Sequence, residues 1–500
     1  MKKSTLVLTG LILVSLLIIS CNFISTIFRK SAASPTPLAI NPPETSTQLP
    51  VTTREIPLPP TAFSGLPSAS FGITSRLQGE HISALHRSGQ TFLTWNERAD
   101  LSDESYRVYR SSTPITASNM QQANLLYEAP EGSAYFYANR YVGESGQWAY
   151  RYLERYVIED RGQPLEKDTG LLVWTLSPEE IGGKTSSQGY YAVTVVPAGG
   201  QETWENQFPL ENGYTLGPLE EGVADPLPVE VSVNVGSRGH VFIQYMDLRE
   251  WNPTFHAPNE ANQYYGLDPN DPKVAHAIQY AYDYVIYEPE CSVSATEKVA
   301  GVVNLHGWNG NNYLPYTEDP DAWGWCAYKI YPVDTSETWY FGFAQKHDYR
   351  QGGDPAAGDV IVNYTEYRIL RMVYDLVRKP PGPAVDFNRI YLYGHSMGAS
   401  GTLAMALRYP NVFAAASASE PMTNYLTSGD GGGTDWRSDV SLKWGSLQLN
   451  LPFKIITTGN WGGHLQRYNG TGVWDWQNHQ QNLRDRQGDE MVPLGVAHGR

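Results

Sequence analysis

Apolar and polar positions alternate in short runs through the first half of the chain. Residues 91–95 (Thr-Phe-Leu-Thr-Trp), 106–110 (Tyr-Arg-Val-Tyr-Arg) and 190–196 (Tyr-Tyr-Ala-Val-Thr-Val-Val) each predict a half-buried strand. No helix-period segment of useful length lies between them, so 70–225 predicts an antiparallel β-sandwich. From about Val229 the pattern changes. Residues 282–287 and 300–305 predict strands, the second apolar on both faces, as in the interior of a parallel sheet. Residues 359–379 put Val362, Ile369, Leu370, Val373, Leu376 and Val377 on one helical stripe that Pro380-Pro381 stops. A strand at 389–393 leads into an Ala- and Leu-rich helix at 398–409, and further strands follow at 413–418 and 453–458. This alternation predicts an α/β domain over 226–500, a mainly parallel sheet covered by helices.

The N-terminus follows neither pattern. Lys2 and Lys3 precede an apolar run at 6–19 that closes on Ser20-Cys21, the features of a secretory signal spanning 1–21. A Cys directly after a small residue resembles the bacterial lipobox. That makes Cys21 the expected lipidation site and places the mature protein on the extracellular face of a bacterial membrane, or outside the cell. The alternative is an uncleaved anchor running on to Arg29-Lys30, although the run before the Cys is shorter than the ~20 residues a span requires. Residues 22–69 are dominated by Pro, Ser and Thr and predict an extended linker.

Composition narrows the partners. With 36 basic against 52 acidic residues the net charge is −16, which disfavours nucleic acid and anionic membrane surfaces. Membrane attachment is expected only through the lipid on Cys21. The 14 Trp and 33 Tyr suit surfaces for sugars or aromatic compounds. Cys291 and Cys326 are the remaining cysteines, and in an oxidising compartment they are expected to pair, closing a loop worth about 3–4 kcal/mol. Two separate buried thiols are the alternative.

Candidate chemistry centres on Gly394-His395-Ser396-Met397-Gly398. G-x-S-x-G alone is a weak signal, but here it joins an apolar strand to an apolar helix, the context of a nucleophile elbow. A serine hydroxyl needs a base to take its proton. In the chain order Ser, acid, His, that base lies downstream, and His464, His479 and His498 are the candidates. His479 falls in a predicted helix at 476–488, where a solvent-facing side chain is expected, and His464 comes early. His498 follows a predicted last strand at 491–497 and is the expected base. Asp475 is the expected acid, with Glu420, directly after the 413–418 strand, as the alternative. The oxyanion donors are expected to be the backbone N–H groups of Met397 and Trp308, with His306 structural. Trp308, Trp323, Trp325, Trp436, Trp444 and Trp461 fall in loops expected near the strand ends. The glycine-rich stretch 429–435 lacks calcium-loop spacing, and no metal, nucleotide or other cofactor motif is present in the sequence.

VVNLHGW at 302–308 and VDFNRIYLYGHSMGASGTLAMALRYPNVFAAASASEP at 385–421 resemble the secreted esterases of the α/β-hydrolase fold. The resemblance is to the polyhydroxybutyrate depolymerase, feruloyl esterase and acetylxylan esterase group. It implies a serine esterase acting on polysaccharide-linked acyl groups or polyester, with Ser396 as nucleophile and Asp475 and His498 completing the triad. Ala399 stands where the family has a further glycine, and only two residues follow His498, where the family continues into a closing helix. Over about 75–205 the chain is similar to a fibronectin type III module, with a long insertion around 135–185. A serine peptidase of the prolyl-oligopeptidase kind shares the elbow, but 75–205 carries no repeat of a propeller. A non-catalytic glycan-binding surface protein is the rival of another class.

Overall fold

The computed structural model describes residues 72–498, apart from 135–139, 143–147, 151–155, 203–213, 233–237, 250–280, 295, 309–323, 335–336, 348–352, 430–433, 458–460 and 486–490. For 140–142 and 148–150 only the backbone is described. The signal segment, Cys21, the linker and Trp323 lie outside the described residues.

Ten strands come first: β1 (Thr74–Gln78), β2 (Ile82–Arg87), β3 (Gln90–Asn96), β4 (Ser105–Ser111), β5 (Asn124–Pro130), β6 (Arg140–Val142), β7 (Trp148–Tyr150), β8 (Thr169–Thr175), β9 (Ser186–Val196) and β10 (Thr215–Gly222). Two antiparallel sheets form, ordered β1-β2-β3-β8 and β10-β9-β4-β5, and β6 pairs with β7 alone. The three runs read from alternation fall inside β3, β4 and β9. Their inward residues, including Phe92, Trp95, Tyr106, Val108, Tyr191 and Val193, share one apolar core, each worth about 1.5–3 kcal/mol on burial.

The second half contains β11 (Val229–Val231), β12 (Gly239–Tyr245), β13 (Ala281–Tyr287), β14 (Val299–Leu305), β15 (Ala327–Pro332), β16 (Phe343–Ala344), β17 (Ile361–Val362), α1 (Tyr364–Arg378), β18 (Val385–His395), α2 (Met397–Arg408), β19 (Ala415–Ser419), α3 (Arg437–Trp444), β20 (Phe453–Lys454), α4 (Val473–Trp476), α5 (His479–Asp485) and β21 (Leu494–Ala497). One sheet orders eight strands as β11-β12-β13-β15-β14-β18-β19-β21. Pairing is antiparallel from β11 to β15 and parallel from β15 to β21. The sheet is therefore mixed, with an antiparallel half preceding the parallel half that carries the elbow. Helix α2 is buried throughout because it packs on β18, β19 and β14.

Two elements differ from the expectation. The stripe at 359–379 starts its helix only at Tyr364, because Ile361 and Val362 are drawn into a short strand. Asn363 enforces the break: its amide exchanges hydrogen bonds with the backbone of Ile456, N–H to Oδ1 at 2.7 Å and Nδ2 to O at 3.2 Å. Among the described residues of the expected 453–458 strand only Phe453–Lys454 form one, and it pairs with β17 in a small separate sheet. Strand β21 consequently lies directly beside β19.

The sandwich docks on the antiparallel half of the sheet. Phe92 meets Tyr245 edge-on at 5.1 Å, and the Tyr245 hydroxyl donates to Val157 O at 2.7 Å. Asp160 is bridged by Lys379 at 3.1 Å, and Glu230 by Arg161 at 2.8 Å. Cys291 and Cys326 are disulfide-bonded with Cα atoms 5.1 Å apart, linking the segments after β13 and before β15. Among the described residues no helix is long and apolar enough to cross a membrane.

Candidate active site

Ser396 alone separates β18 from α2, and its backbone takes φ 57° and ψ −119°. For a residue with a Cβ this conformation costs on the order of 1–3 kcal/mol and persists only where the surroundings impose it. They do so here. The Ser396 N–H donates to Ser419 O at 2.9 Å, and Ser396 O accepts from Ser400 N–H at 3.0 Å and Ser400 Oγ at 3.1 Å. The flanking glycines permit the close approach. A Cβ on Gly398 would fall 1.9 Å from Leu305 O, and one on Gly394 would fall 2.3 Å from Gly398 O. The sequence can therefore place a strand end, a serine and a helix start in one tight turn only with glycine at both positions.

The loop after β14 lies against this turn. A Cβ built on Gly307 would stand 3.7 Å from Ser396 Cβ, and the next residue is Trp308. Three contacts hold the loop. His306 Nε2 accepts from Asp334 N–H at 3.0 Å, His306 Nδ1 donates to Gly307 O at 2.8 Å, and the Tyr340 hydroxyl donates to His306 O at 2.9 Å. Burial pushes the His306 imidazole below its ordinary pKa, so the ring is neutral and serves as a strut. Met397 N–H opens α2, where the first amides lack intrahelical partners and the helix dipole favours negative charge.

The histidines separate by environment. His498 directly follows β21 and is exposed. His464 Nε2 meets Arg408 O at 3.0 Å. His479 opens α5 but is buried, contrary to the solvent-facing expectation, and the Tyr425 ring lies edge-on to it with centroids 6.4 Å apart. Burial holds its pKa well below the usual value, and its Nε2 has no hydrogen-bond partner. Of the predicted helix at 476–488, the described residues form α5 (His479–Asp485), while Trp476 ends the separate short α4.

The two acids also separate. Asp475 is exposed on α4, and its Oδ2 accepts from Asn450 Nδ2 at 2.7 Å. Glu420 follows β19 immediately, with φ 63°. Its N–H donates to Ala497 O at 2.7 Å, one residue before His498. The parallel register aligns His395 with Ser419 and Ser419 with Ala497. Ser396, Glu420 and His498 are therefore the next residues on three neighbouring strands.

Of the six tryptophans, Trp308 directly follows the Gly307 that lies against Ser396, and Trp436 packs on it. Trp308 is 44% exposed and lies 5.2 Å from Trp436, which lies 5.3 Å from Trp339. Trp444 and Trp461 are core residues, and Trp325 packs against Ala300, Val302 and Ala327. Sequence reasoning missed Trp339 and Tyr340. They lie in a turn with φ 55° and 60°, and the Asp334 carboxylate accepts from Tyr340 N–H at 3.1 Å and the Thr338 hydroxyl at 3.1 Å. The available signal was Asp-Thr-Ser following a strand, a turn-forming run. Among the described residues no group of three His, Cys, Asp or Glu side chains is placed to hold a metal ion.

No family model matches the chain, and no curated protein is significantly similar to it. Solved structures are similar at low identity. One is FphF, a fluorophosphonate-binding serine hydrolase of Staphylococcus aureus, at 16% identity and a TM-score of 0.26 over 44% of this chain and 74% of that one. A thermostable esterase matches at 13% identity and a TM-score of 0.24, over 85% and 90%. The acylaminoacyl peptidase of Pyrococcus horikoshii matches at 11% and 0.24, over 86% and 92%. These neighbours are serine hydrolases, esterases and peptidases, and the functional reading of this chain rests on its own elbow.

Proposed function

We propose that this chain is a serine esterase that cleaves carboxylic esters through an acyl-enzyme, with Ser396 as nucleophile and His498 as base. The observation that carries the proposal is Ser396 itself. A serine held at positive φ between a parallel strand and a helix N-terminus, with a glycine loop against it, is the arrangement of an α/β-hydrolase nucleophile elbow.

In the proposed reaction His498 takes the Ser396 proton as Oγ bonds to the ester carbonyl carbon. The carbonyl oxygen becomes an oxyanion, held by the N–H groups of Met397 and Trp308. Collapse breaks the bond to the alcohol, which leaves with the proton from the imidazolium. Water then attacks the acyl-serine by the same route, releasing the acid and restoring Ser396. The exposed Trp308 face beside Trp436 favours an acyl group or alcohol that stacks on an aromatic wall.

Within the same proposal the N-terminal sandwich is a fibronectin type III-like module over 70–225. The enzyme is tethered outside a bacterial cell through Cys21, and its substrate is an acyl group on polysaccharide or a polyester. Turnover of p-nitrophenyl acetate and butyrate tests the activity. The parent should hydrolyse both, and Ser396→Ala should lose roughly 10⁴-fold or more in kcat. A Ser396→Ala variant with parental turnover would contradict the proposal.

A further inference from the structure

Resting on that serine-hydrolase reading, we propose that Glu420, not Asp475, is the carboxylate that positions His498. The backbone supplies the argument. Strands β18, β19 and β21 are consecutive in the sheet, and His395, Ser419 and Ala497 share one row of the register. The ladder continues one step past that row, through Ser396 N–H to Ser419 O at 2.9 Å and Glu420 N–H to Ala497 O at 2.7 Å. Glu420 thus stands between the nucleophile and the base. At about 4.8 Å per strand it is one strand step from each.

Three further observations agree. Glu420 adopts φ 63° directly beside Ser396 at φ 57°. Left-handed backbone at a residue other than glycine, asparagine or aspartate is uncommon and clusters at functional sites. The Glu420 carboxylate is exposed and has no hydrogen-bond partner among the described residues, whereas Asp475 is engaged by Asn450 at 2.7 Å. The displacement of β20 to the small sheet leaves no strand end between β19 and β21 to carry an acid. In the proposed role the Glu420 side chain turns to take the Nδ1–H of His498 during turnover, fixing the tautomer that presents Nε2 to the serine proton and stabilising the imidazolium that forms.

The test compares kcat, KM and pH profiles on p-nitrophenyl acetate for the full chain and for Glu420→Gln, Glu420→Asp, Asp475→Asn and Ser396→Ala. Thermal unfolding confirms that each variant folds. Glu420→Gln should lose about 10²–10⁴-fold in kcat with little change in KM. The acidic limb of its profile should move to lower pH, because the imidazolium has lost its counter-charge. Glu420→Asp should recover part of the loss, and Asp475→Asn should stay within about threefold of the parent. A Glu420→Gln variant with parental kcat and profile overturns the assignment, as does a loss confined to Asp475→Asn. In both of those results a dead Ser396→Ala leaves the esterase reading standing. A parent with no Ser396-dependent turnover overturns both proposals.

Discussion

In two places the molecule sets a histidine, a hydroxyl residue and a glutamate on neighbouring strands, in opposite environments. In the sandwich, His86 Nδ1 donates to Thr91 Oγ1 at 2.8 Å, and Thr91 donates to Glu221 Oε1 at 3.0 Å. Tyr191 and Arg110 close the set on Glu221, with Arg110 Nη2 at 2.7 Å. All three central residues are fully buried between the sheets. The hydroxyl keeps its proton in that hydrogen bond, and complete burial leaves no path by which a substrate could reach it. At the end of the parallel sheet, Ser396, Glu420 and His498 stand in one row at a surface. There the backbone is strained and the helix N-terminus is open. The same residue types make a structural lock where they are satisfied and buried, and the proposed reactive site where they are strained and exposed.

Breaking the lock should give the largest change in stability. Glu221→Ala strands the Arg110 guanidinium in the core and should destabilise the protein by about 3–5 kcal/mol in denaturant unfolding. Ester turnover per folded molecule should stay at the parental level. Replacing both partners, Arg110→Met with Glu221→Leu, should restore most of the loss. A Glu221→Ala protein of parental stability would show that the lock contributes nothing.

A pH effect of similar size belongs to His86. Burial holds its pKa down to about 4, against 6.5 in the unfolded chain. Between those values the unfolded chain binds a proton that the fold does not. Stability contributed by the neutral ring is complete above pH 6.5 and falls as pH drops toward 4, by on the order of 3 kcal/mol. Denaturant unfolding from pH 7 to 4.5 should show this slope in the parent and a shallower one in His86→Gln. Equal slopes would remove His86 as its source.

The smallest stability change should come from the elbow. Gly398→Ala sets a methyl against Leu305 O and should cost about 1–3 kcal/mol. Because relief of the clash moves Ser396, kcat should fall more than tenfold, far beyond what the lost stability explains. Unchanged kcat would mean that the turn tolerates the shift.

Much of this contrast was legible in the sequence. The sandwich strands follow from alternation, because each half-buried strand shows its two faces directly. The elbow follows from glycines at a strand–helix junction, where sterics leave no other residue type. What was not legible depends on pairing. Nothing in Phe453-Lys454 says that these residues join Ile361-Val362 and leave β21 beside β19. Register alone pairs the Glu420 backbone with Ala497, one residue before His498, whereas Asp475 was favoured by its place ahead of the helix that leads into the last strand. The burial of His479 is likewise tertiary, among residues such as Tyr425 that lie far from it in the chain.

The most direct test of the central claim is covalent labelling of the parent with diisopropyl fluorophosphate, read by intact mass and peptide mapping. One adduct per chain on the peptide carrying Ser396, appearing in step with loss of p-nitrophenyl acetate turnover, is the predicted result. Turnover that persists without label at Ser396, or inactivation by an adduct at another residue, would contradict it.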